Sequence, residues 1–329
     1  MTPPASHREA VLELLEETRL RPSEVGERLE KALDRRYWER LNLSLSIDVE
    51  DGEKIDAAAA ADAEALKQQK LADRFATEGY FQIDSLFSEA VVEDLKTGIE
   101  AVRQAGWPAV FAFVYDQFWQ TARAPKLVGL LTRILGPEFR QSCHLWSHYV
   151  PADSGAGGWP PHIDNPGRQD RVTVWIALNA ATLDNACLYL IPKHLTPAGV
   201  AENFAGLDSF SHADVTALLQ GGRALPVPAG SVIGWGPDVI HWSALRSSGQ
   251  SHPRISISQE FLAASATPRQ DELPLFPVQS RLPTFAQRLY AIATAILAYQ
   301  RVETPMIRYL ELAQRLVAAT STSALNARE

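Results

Sequence analysis

Two metal-ligating residue types stand two positions apart in the stretch 159–190, where prolines and a glycine flank them and an alternating apolar run follows. If the backbone is extended at His162 and Asp164, their side chains project from one face, because strand side chains repeat with period two. An imidazole nitrogen and a carboxylate oxygen then point at the same spot. A distant second histidine, for which His241 is the candidate, completes the 2-His-1-carboxylate triad that leaves one face of a non-haem Fe(II) ion open. The fold must therefore bring two distant segments together.

The segment around His241 has short apolar stretches separated by turn residues, a pattern typical of a β-rich domain. A Pro/Gly turn precedes a short apolar strand predicted over Ser231–Trp235, and a Gly-Pro turn then leads to His241. Beyond Pro253 the sequence alternates, which predicts a strand with one polar and one apolar face. The polar face holds Arg254, Ser256, Ser258 and Glu260, and the apolar face holds Ile255, Ile257 and Phe261.

Short strands separated by turns, with helices early in the segment, run from Gly79 to Leu262. This pattern predicts a barrel or sandwich of β type. The predicted strands are Tyr80–Ile83, Cys143–Val150, Arg171–Leu178, Cys187–Pro192, Ser231–Trp235 and Arg254–Leu262.

The ordered set of motifs resembles the phytanoyl-CoA dioxygenase-like (PhyH) family of iron- and 2-oxoglutarate-dependent oxygenases. The set is, in order, His162-x-Asp164, VTVWIAL, TLDNACLYLIPKHL, PAGS, His241 and Arg254. Upstream, LADRFATEGYFQIDSLFSEAVVEDLKTGIEAV resembles the family's opening of a helix, a Gly-aromatic pair with a strand, and a second helix. The resemblance spans about residues 71–262.

Two family signatures differ in this chain. The common Asn-Gly-Cys is replaced by Asn185-Ala186-Cys187, and Pro-Gly-Ser-His is replaced by Pro192-Lys193-His194. Neither departure changes a proposed ligand.

The resemblance implies a mainly β core with α flanks, in which a double-stranded β-helix, a jelly-roll or cupin-like barrel, holds the metal at its mouth. It also implies Fe(II), 2-oxoglutarate as cosubstrate and O₂, with ascorbate as a stimulant. His162, Asp164 and His241 are then the metal ligands and catalytic centre. Ser243 and Trp175 match family residues that contact the cosubstrate, although a core aromatic role explains Trp175 nearly as well.

Arg254 is the candidate partner of the distal carboxylate of 2-oxoglutarate. Its alternating apolar neighbours face the core, so its own side chain points into the interior, where a lone buried charge is costly. A carboxylate satisfies the guanidinium through a bidentate pair of hydrogen bonds.

The function that the resemblance implies is a dioxygenase that hydroxylates a small molecule, lipid-like or a secondary metabolite, and releases succinate and CO₂. Desaturation, cyclisation or epimerisation would use the same site. Two other classes stay open: a metal-dependent cupin-type enzyme that does not use 2-oxoglutarate, and a non-catalytic barrel that binds a ligand. The first has no need for Arg254 with Ser243, and the second has no need for all three metal ligands.

Three regions are predicted along the chain. Residues 1–70 form a helical N-terminal extension, residues 71–262 form the oxygenase domain, and residues 263–329 form a helical C-terminal extension. In the last region, Phe285, Leu289, Ile292 and Ile296 recur at helical spacing, and a second helix follows Pro305. We expect this extension to pack on the barrel or on a second subunit, which makes a homodimer a candidate assembly.

Composition narrows the partners. Asp and Glu total 39 against 31 Lys and Arg, with no basic cluster interleaved with aromatics, so nucleic acid is not an expected partner. Neither a signal peptide nor a run of about 18 apolar residues is visible, which favours a cytoplasmic protein without a membrane span. The two cysteines, Cys143 and Cys187, form no metal or redox motif and are expected to be reduced.

The remaining histidines of the domain are assigned to ordinary hydrogen-bonded positions. These are His144, His148, His194, His212 and His252. His144 and His148 share one face of a predicted strand and could reach the pocket, although nothing in the sequence requires it.

Overall fold

A computed structural model describes residues 19–47, 62–153, 155–196, 200, 204, 211–247 and 252–325. The sequence also predicts a helix over residues 6–20, which lies almost entirely outside these residues. Of the acidic connection that it predicts over residues 48–66, residues 48–61 lie outside the described ranges, and residues 62–66 instead begin a helix. None of the helices in the described ranges has the length and apolar character needed to cross a membrane.

Helices and antiparallel strands are mixed along the chain. The α-helices are α1 (Pro22–Leu33), α2 (Arg35–Leu41), α3 (Asp62–Glu78), α4 (Glu89–Gln104), α5 (Asp116–Gln120), α6 (Pro125–Leu135), α7 (His212–Gly221), α8 (Phe285–Tyr299) and α9 (Leu310–Leu325). Short 3₁₀ helices occupy Ala109–Val114, Thr121–Arg123, Lys193–Leu195, Gln270–Glu272 and Thr304–Tyr309. The strands are β1 (Tyr80–Ile83), β2 (Arg140–Val150), β3 (Arg171–Ala177), β4 (Leu188–Leu190), β5 (Arg223–Leu225), β6 (Val232–Trp235), β7 (His241–Ser243), β8 (Arg254–Leu262) and β9 (Phe276–Pro277).

In the part of the chain that the structure describes, the strands form two antiparallel sheets. The larger sheet has the order β1-β6-β3-β8-β2-β9, and the smaller one has the order β5-β4-β7. Neighbours such as β3 and β6 are far apart in sequence, so the sheet depends on long-range pairing. The predicted antiparallel β structure and helical flanks are present, but the chain as a whole is mixed and not mainly β, because more of the described residues are helical than extended.

The alternation predicted for β8 gives the large sheet two different faces. Residues paired across neighbouring strands carry their side chains on the same face of the sheet. Ser258 of β8 pairs with Trp146 of β2 on one side and with Trp175 of β3 on the other, so these three side chains share a face. This inner face packs against the small sheet in one apolar cluster that includes Trp175, Ile233 and Leu188. The polar half of the β8 pattern therefore faces the space between the two sheets.

The outer face of the large sheet is covered by helices. Ile255, Ile257 and Phe261 belong to a continuous buried cluster that also contains residues of α4, α6, α8 and α9. Helix α8 packs on β2, and its buried stripe includes Leu289, Ile292 and Ile296, as the helical spacing predicts. The C-terminal helices are thus part of the main core of the chain.

All six predicted strands are present. Tyr80–Ile83 and Arg254–Leu262 have the predicted bounds, and the others differ at their ends by one to three residues. Strands β5, β7 and β9 were not predicted; each has only two or three residues, too few for a periodic pattern.

Candidate active site

A single antiparallel bridge brings the two candidate histidines together. The backbone N–H of His162 donates to the carbonyl of His241, and the N–H of His241 donates to the carbonyl of His162, both at 3.1 Å. The strand expected through His162 and Asp164 is thus reduced to one paired residue, and a bend follows it. The two imidazole rings lie with their centroids 4.1 Å apart.

The side chains of His162, Asp164 and His241 converge. Asp164 Oδ1 lies 3.4 Å from His162 Nε2 and 3.6 Å from His241 Nε2. Nδ1 of His162 lies 2.7 Å from the carbonyl oxygen of Pro160, and Nδ1 of His241 lies 2.9 Å from that of Val239. Because a carbonyl only accepts hydrogen bonds, each ring carries its proton on Nδ1 and presents the lone pair of Nε2 to the centre.

Two donors orient the carboxylate of Asp164. The hydroxyl of Thr173 and the indole N–H of Trp235 both donate to Oδ2 at 2.9 Å, from β3 and β6 respectively. Oδ1 is left facing the two imidazoles. Hydrogen bonds of this kind to ligands hold first-row metal sites in shape.

The electrostatics of the three residues also suit a cation. Burial lowers the pKa of His241 to about 4, so this imidazole is neutral at pH 7. Burial alone would raise the pKa of Asp164, but the nearby imidazoles of His241 and His162 and the hydrogen bond from Trp235 hold it well below its ordinary value. Burial also lowers the pKa of His162, and the hydrogen bond and charge of Asp164 reverse this to a net increase.

The donor set fits a divalent metal ion. One ligand atom from each of His162, Asp164 and His241 lies within 4.8 Å of the others. Nε2 of His162 is buried yet has no well-aligned hydrogen-bond partner, a costly state for a polar atom unless something else binds it. Two imidazoles and one carboxylate form the set expected for non-haem iron.

Arg254 lies beside this centre at the start of β8. Its guanidinium donates to Ser256 Oγ at 2.5 Å and to Ser243 Oγ at 3.0 Å, and it lies over the ring of Trp175 at 5.6 Å from the centroid. Arg254 therefore contacts both other residues predicted to bind the cosubstrate, Ser243 and Trp175, and all three line one cavity with the triad.

The surroundings of Arg254 fit an anion. The side chain is almost completely buried, and burial lowers its pKa to about 10, so it is still charged at pH 7. Within the described ranges, its hydrogen bonds go to neutral hydroxyls and no carboxylate forms a close ion pair with it; the charge of Glu303 acts on it only from a distance. A buried guanidinium without a counter-ion is costly, so a dicarboxylate entering the cavity would compensate it.

The cavity has a volume of about 220 Å³ and lies between the two sheets. Both histidines that the sequence left undecided, His144 and His148, line it. Burial is the main reason that the pKa of His148 lies well below its ordinary value, and its Nε2 lies 3.1 Å from Ser258 Oγ. The sequence placed these histidines on one strand face, but only the sheet pairing shows which face that is.

A second group of metal-ligating residue types, His144, Glu260 and Glu272, also lies close together. Glu272 is paired with two arginines: it forms a short ion pair with Arg171, and its Oε1 lies 3.1 Å from Nη2 of Arg269. His144 bridges Glu260 and Asp271 at 3.2 and 3.3 Å. The group is therefore an ion-pair network, in which arginine and histidine side chains pair with the carboxylates in place of a metal ion.

Residues 75–255 match the family described as phytanoyl-CoA dioxygenase (PhyH), which is more than half of the sequence. The chain belongs to the PhyH family. Fe(II) and 2-oxoglutarate are the cofactors of this family, and the protein is an iron- and 2-oxoglutarate-dependent oxidoreductase. The resemblance inferred from the motifs is thus confirmed.

Solved structures with a related fold include the nickel complex of the non-haem monooxygenase ThoJ. It is 18% identical, has a TM-score of 0.53, and the alignment covers 72% of this chain and 99% of ThoJ. The apo form of ThoJ gives 16% identity, a TM-score of 0.51 and coverages of 77% and 99%. The epimerase SnoN of nogalamycin biosynthesis is 17% identical, has a TM-score of 0.47, and the alignment covers 60% of this chain and 84% of SnoN. Similarity at these identities concerns the fold alone.

No curated protein matches the sequence significantly.

In this PhyH-family chain, Ala186 stands where the family signature has glycine, and its backbone keeps the conformation that a glycine favours. Ala186 has φ of 51°, the left-handed conformation that favours the glycine of the family signature. Asn185, next to it, accepts a short hydrogen bond from Arg246 and donates to the carbonyl of Ala180 at 2.9 Å. The surrounding hydrogen bonds hold the loop in place.

Proposed function

We propose that this protein is a dioxygenase that uses 2-oxoglutarate to hydroxylate a small molecule, with iron held by His162, Asp164 and His241. The observation that supports it best is that one cavity combines three converging ligand atoms with a buried arginine that has no carboxylate partner among the described residues. A metal site alone would leave Arg254 unexplained.

Each residue has a defined task in this proposal. His162 and His241 bond backbone carbonyls through Nδ1, which leaves Nε2 of each ring directed at the metal position. Asp164 supplies one oxygen, and Thr173 and Trp235 hold the other. These hydrogen bonds fix the three ligand atoms before an ion arrives, which lowers the cost of ordering them on binding.

Arg254 and Ser243 bind a carboxylate of 2-oxoglutarate, and Trp175 packs against the guanidinium. Charge-assisted hydrogen bonds in a buried site are about twice as strong as neutral ones. Bound Fe(II) and 2-oxoglutarate supply the oxidising chemistry, in which O₂ is consumed and the cosubstrate leaves as succinate and CO₂. The walls of the cavity limit access of bulk water to the reacting groups.

The proposal includes the finer architecture. We infer that the two sheets are the halves of a double-stranded β-helix of jelly-roll type, since they face each other across the cavity. The division into an N-terminal extension (1–70), an oxygenase domain (71–262) and a C-terminal extension (263–329) stays a prediction. A homodimer formed through the helical flanks, a cytoplasmic location and stimulation by ascorbate are likewise predictions.

The activity is tested by following the conversion of 2-oxoglutarate to succinate with Fe(II), O₂ and a panel of candidate small molecules. We expect at least one compound to stimulate succinate release and to gain one oxygen atom by mass spectrometry. The Asp164→Ala variant is the control and should release little succinate. If the iron-loaded parent protein consumes no 2-oxoglutarate with or without candidates, the proposal is wrong.

A further inference from the structure

One wall of the cavity comes from outside the region that matches the family. The match ends at residue 255. Ala298 and Tyr299 are the last two residues of helix α8, and they line the same cavity as the triad. The helix is held in place by its buried stripe against β2. The C-terminal extension therefore contributes directly to the candidate active site.

The ring of Tyr299 is fixed on several sides by other rings. Its centroid lies 5.2 Å from that of Trp146, 5.0 Å from that of Trp159 and 5.7 Å from that of His144. Trp146 lies on β2, and Trp159 lies three residues before His162. Three elements that build the cavity thus meet at this tyrosine.

Glu303 clamps two of these rings. Its Oε1 atom accepts hydrogen bonds from the indole N–H of Trp159 at 2.7 Å and from that of Trp146 at 3.2 Å. A single oxygen that holds both indoles restricts their rotation, and the indoles in turn restrict Tyr299. The residue lies just beyond α8, so the same C-terminal segment supplies both the tyrosine and its support.

The hydroxyl of Tyr299 makes no hydrogen bond to any residue that the structure describes. Its oxygen is not among the fully buried unpaired polar atoms, so it is accessible from the cavity that Tyr299 lines. Burial, followed by the negative charges of Glu260 and Asp164, raises the pKa of this phenol well above its ordinary value. The group is a neutral hydroxyl that can donate one hydrogen bond.

We propose that Tyr299 determines substrate specificity, because its hydroxyl hydrogen-bonds a hydroxyl or carbonyl group of a small polar substrate. Glu303 is the positioning residue that holds Tyr299 through Trp146 and Trp159. The inference rests on the proposed function. The ion-paired side chains of Arg269 and Asp271 line the cavity as well, so this part of it suits a polar molecule better than an acyl chain.

The position of the tyrosine is tested first with metal alone as the probe. Protein labelled with 3-fluorotyrosine is loaded with 2-oxoglutarate and either diamagnetic Zn(II) or paramagnetic Co(II), and its fluorine spectrum is recorded. Tyr299→Phe and Tyr290→Phe assign the two signals of α8, and Tyr290 does not line the cavity. We expect Co(II) to shift and broaden the Tyr299 signal much more than the Tyr290 signal. Equal effects would overturn the placement.

The hydrogen bond is tested with a matched pair of ligands. The pair is the hydroxylated or carbonyl compound that most stimulates succinate release and its analogue without that group. Their dissociation constants are measured anaerobically from the change in the visible band of the Fe(II)–2-oxoglutarate complex. We expect the parent and Tyr290→Phe to prefer the oxygenated compound roughly tenfold, and Tyr299→Phe to bind both alike.

An unchanged preference in Tyr299→Phe would overturn the inference. So would loss of iron or 2-oxoglutarate binding in that variant, because the tyrosine would then support the cofactor site. Failure of the parent protein to bind iron and 2-oxoglutarate is a separate result that rejects the proposed function.

Glu303 is tested by a conservative pair. Glu303→Gln keeps an oxygen acceptor for the indoles and should retain both the tenfold preference and the Tyr299 fluorine signal of the parent. Glu303→Ala should lose the preference and give a Tyr299 signal that is averaged over several ring positions. If Glu303→Ala behaves like the parent in both measurements, Glu303 does not position Tyr299.

Discussion

At the residue scale, the candidate site depends on hydrogen bonds that engage one atom of each ligand side chain and leave the other, Nε2 or Oδ1, available for the metal. Backbone carbonyls engage Nδ1 of both histidines, and Thr173 and Trp235 engage Oδ2 of Asp164. The ligand types and Arg254 were predicted from the sequence because their spacing and alternation are local. Their supporting partners were not, because Thr173 and Trp235 lie on strands whose pairing is long-range.

Trp235→Phe is expected to weaken iron binding, because Asp164 loses one of the two donors that orient it. Loss of such a partner typically costs about 10- to 100-fold in metal affinity. Competition with a chromophoric chelator measures the change under anaerobic conditions. Thr173→Val removes the other donor and should have an effect of the same kind. Parent-like affinity in both variants would show that these hydrogen bonds do not support the metal.

Arg254→Ala is expected to weaken 2-oxoglutarate binding about 10- to 100-fold, since a charge-assisted hydrogen bond contributes about 1.5–3 kcal/mol. Iron binding should change little, because Arg254 contacts Ser243 and Ser256 and none of the three ligands. Anaerobic calorimetric titration of the apoprotein with Fe(II), and of the iron-loaded protein with 2-oxoglutarate, measures the two affinities. Arg254→Lys keeps the charge but loses the planar guanidinium, so its 2-oxoglutarate affinity should lie between that of the parent and that of Arg254→Ala. Unchanged affinity in Arg254→Ala would place the cosubstrate elsewhere.

At the element scale, the large sheet is organised by its two faces. The alternation of β8 predicted which residues share a face, and the structure confirms that the apolar set faces the helices. The sequence did not show the partner strands, since register and order are set by contacts between distant segments. Very short strands such as β7, which carries His241, give no periodic signal at all.

Gly234→Ala is expected to destabilise the sheet by about 1–3 kcal/mol, as overpacking of a tight core does. A Cβ at this position of β6 would lie on the ring of Phe81, its partner on β1. Gly26→Ala is the matched control, because its Cβ would meet nothing within 4 Å on helix α1. That variant should be neutral or more stable by up to about 1 kcal/mol. Urea unfolding measures both, and equal stabilities would contradict the packing of β1 on β6.

His144 links β2 to β8 and to the 3₁₀ turn that contains Asp271. Burial alone lowers its pKa, but hydrogen bonds and charges from Asp271 and Glu260 raise it to about 9, despite the nearby guanidinium of Arg269. A histidine whose folded pKa exceeds its unfolded value stabilises fully below about pH 6.5, and the contribution disappears as the pH rises through 9.

We therefore expect the free energy of unfolding to fall by on the order of 3 kcal/mol between pH 6 and pH 9 through His144 alone. Urea unfolding of the parent and of His144→Gln at both pH values isolates this contribution. The variant should be less stable at pH 6 and nearly equal to the parent at pH 9. Identical pH dependence of the two proteins would show that the ion pairs of His144 do not stabilise the fold.

At the scale of the whole molecule, the candidate site is built from regions that are distant in the sequence. The motifs between residues 159 and 262 predicted the metal ligands and the cosubstrate arginine. The sequence also predicted helices beyond Pro268, but it gave no sign that Tyr299 would line the cavity. Helical spacing shows which residues are buried, and it does not show which end of the helix reaches the site.

The central claim is that His162, Asp164 and His241 hold iron while Arg254 holds 2-oxoglutarate in one cavity. It is tested most directly by visible absorption of the protein titrated anaerobically with both. The account predicts a weak charge-transfer band that saturates at one Fe(II) and one 2-oxoglutarate per chain, and that is lost in the alanine variants of the three ligands. No band in the parent protein, or a full band in Asp164→Ala, would contradict it.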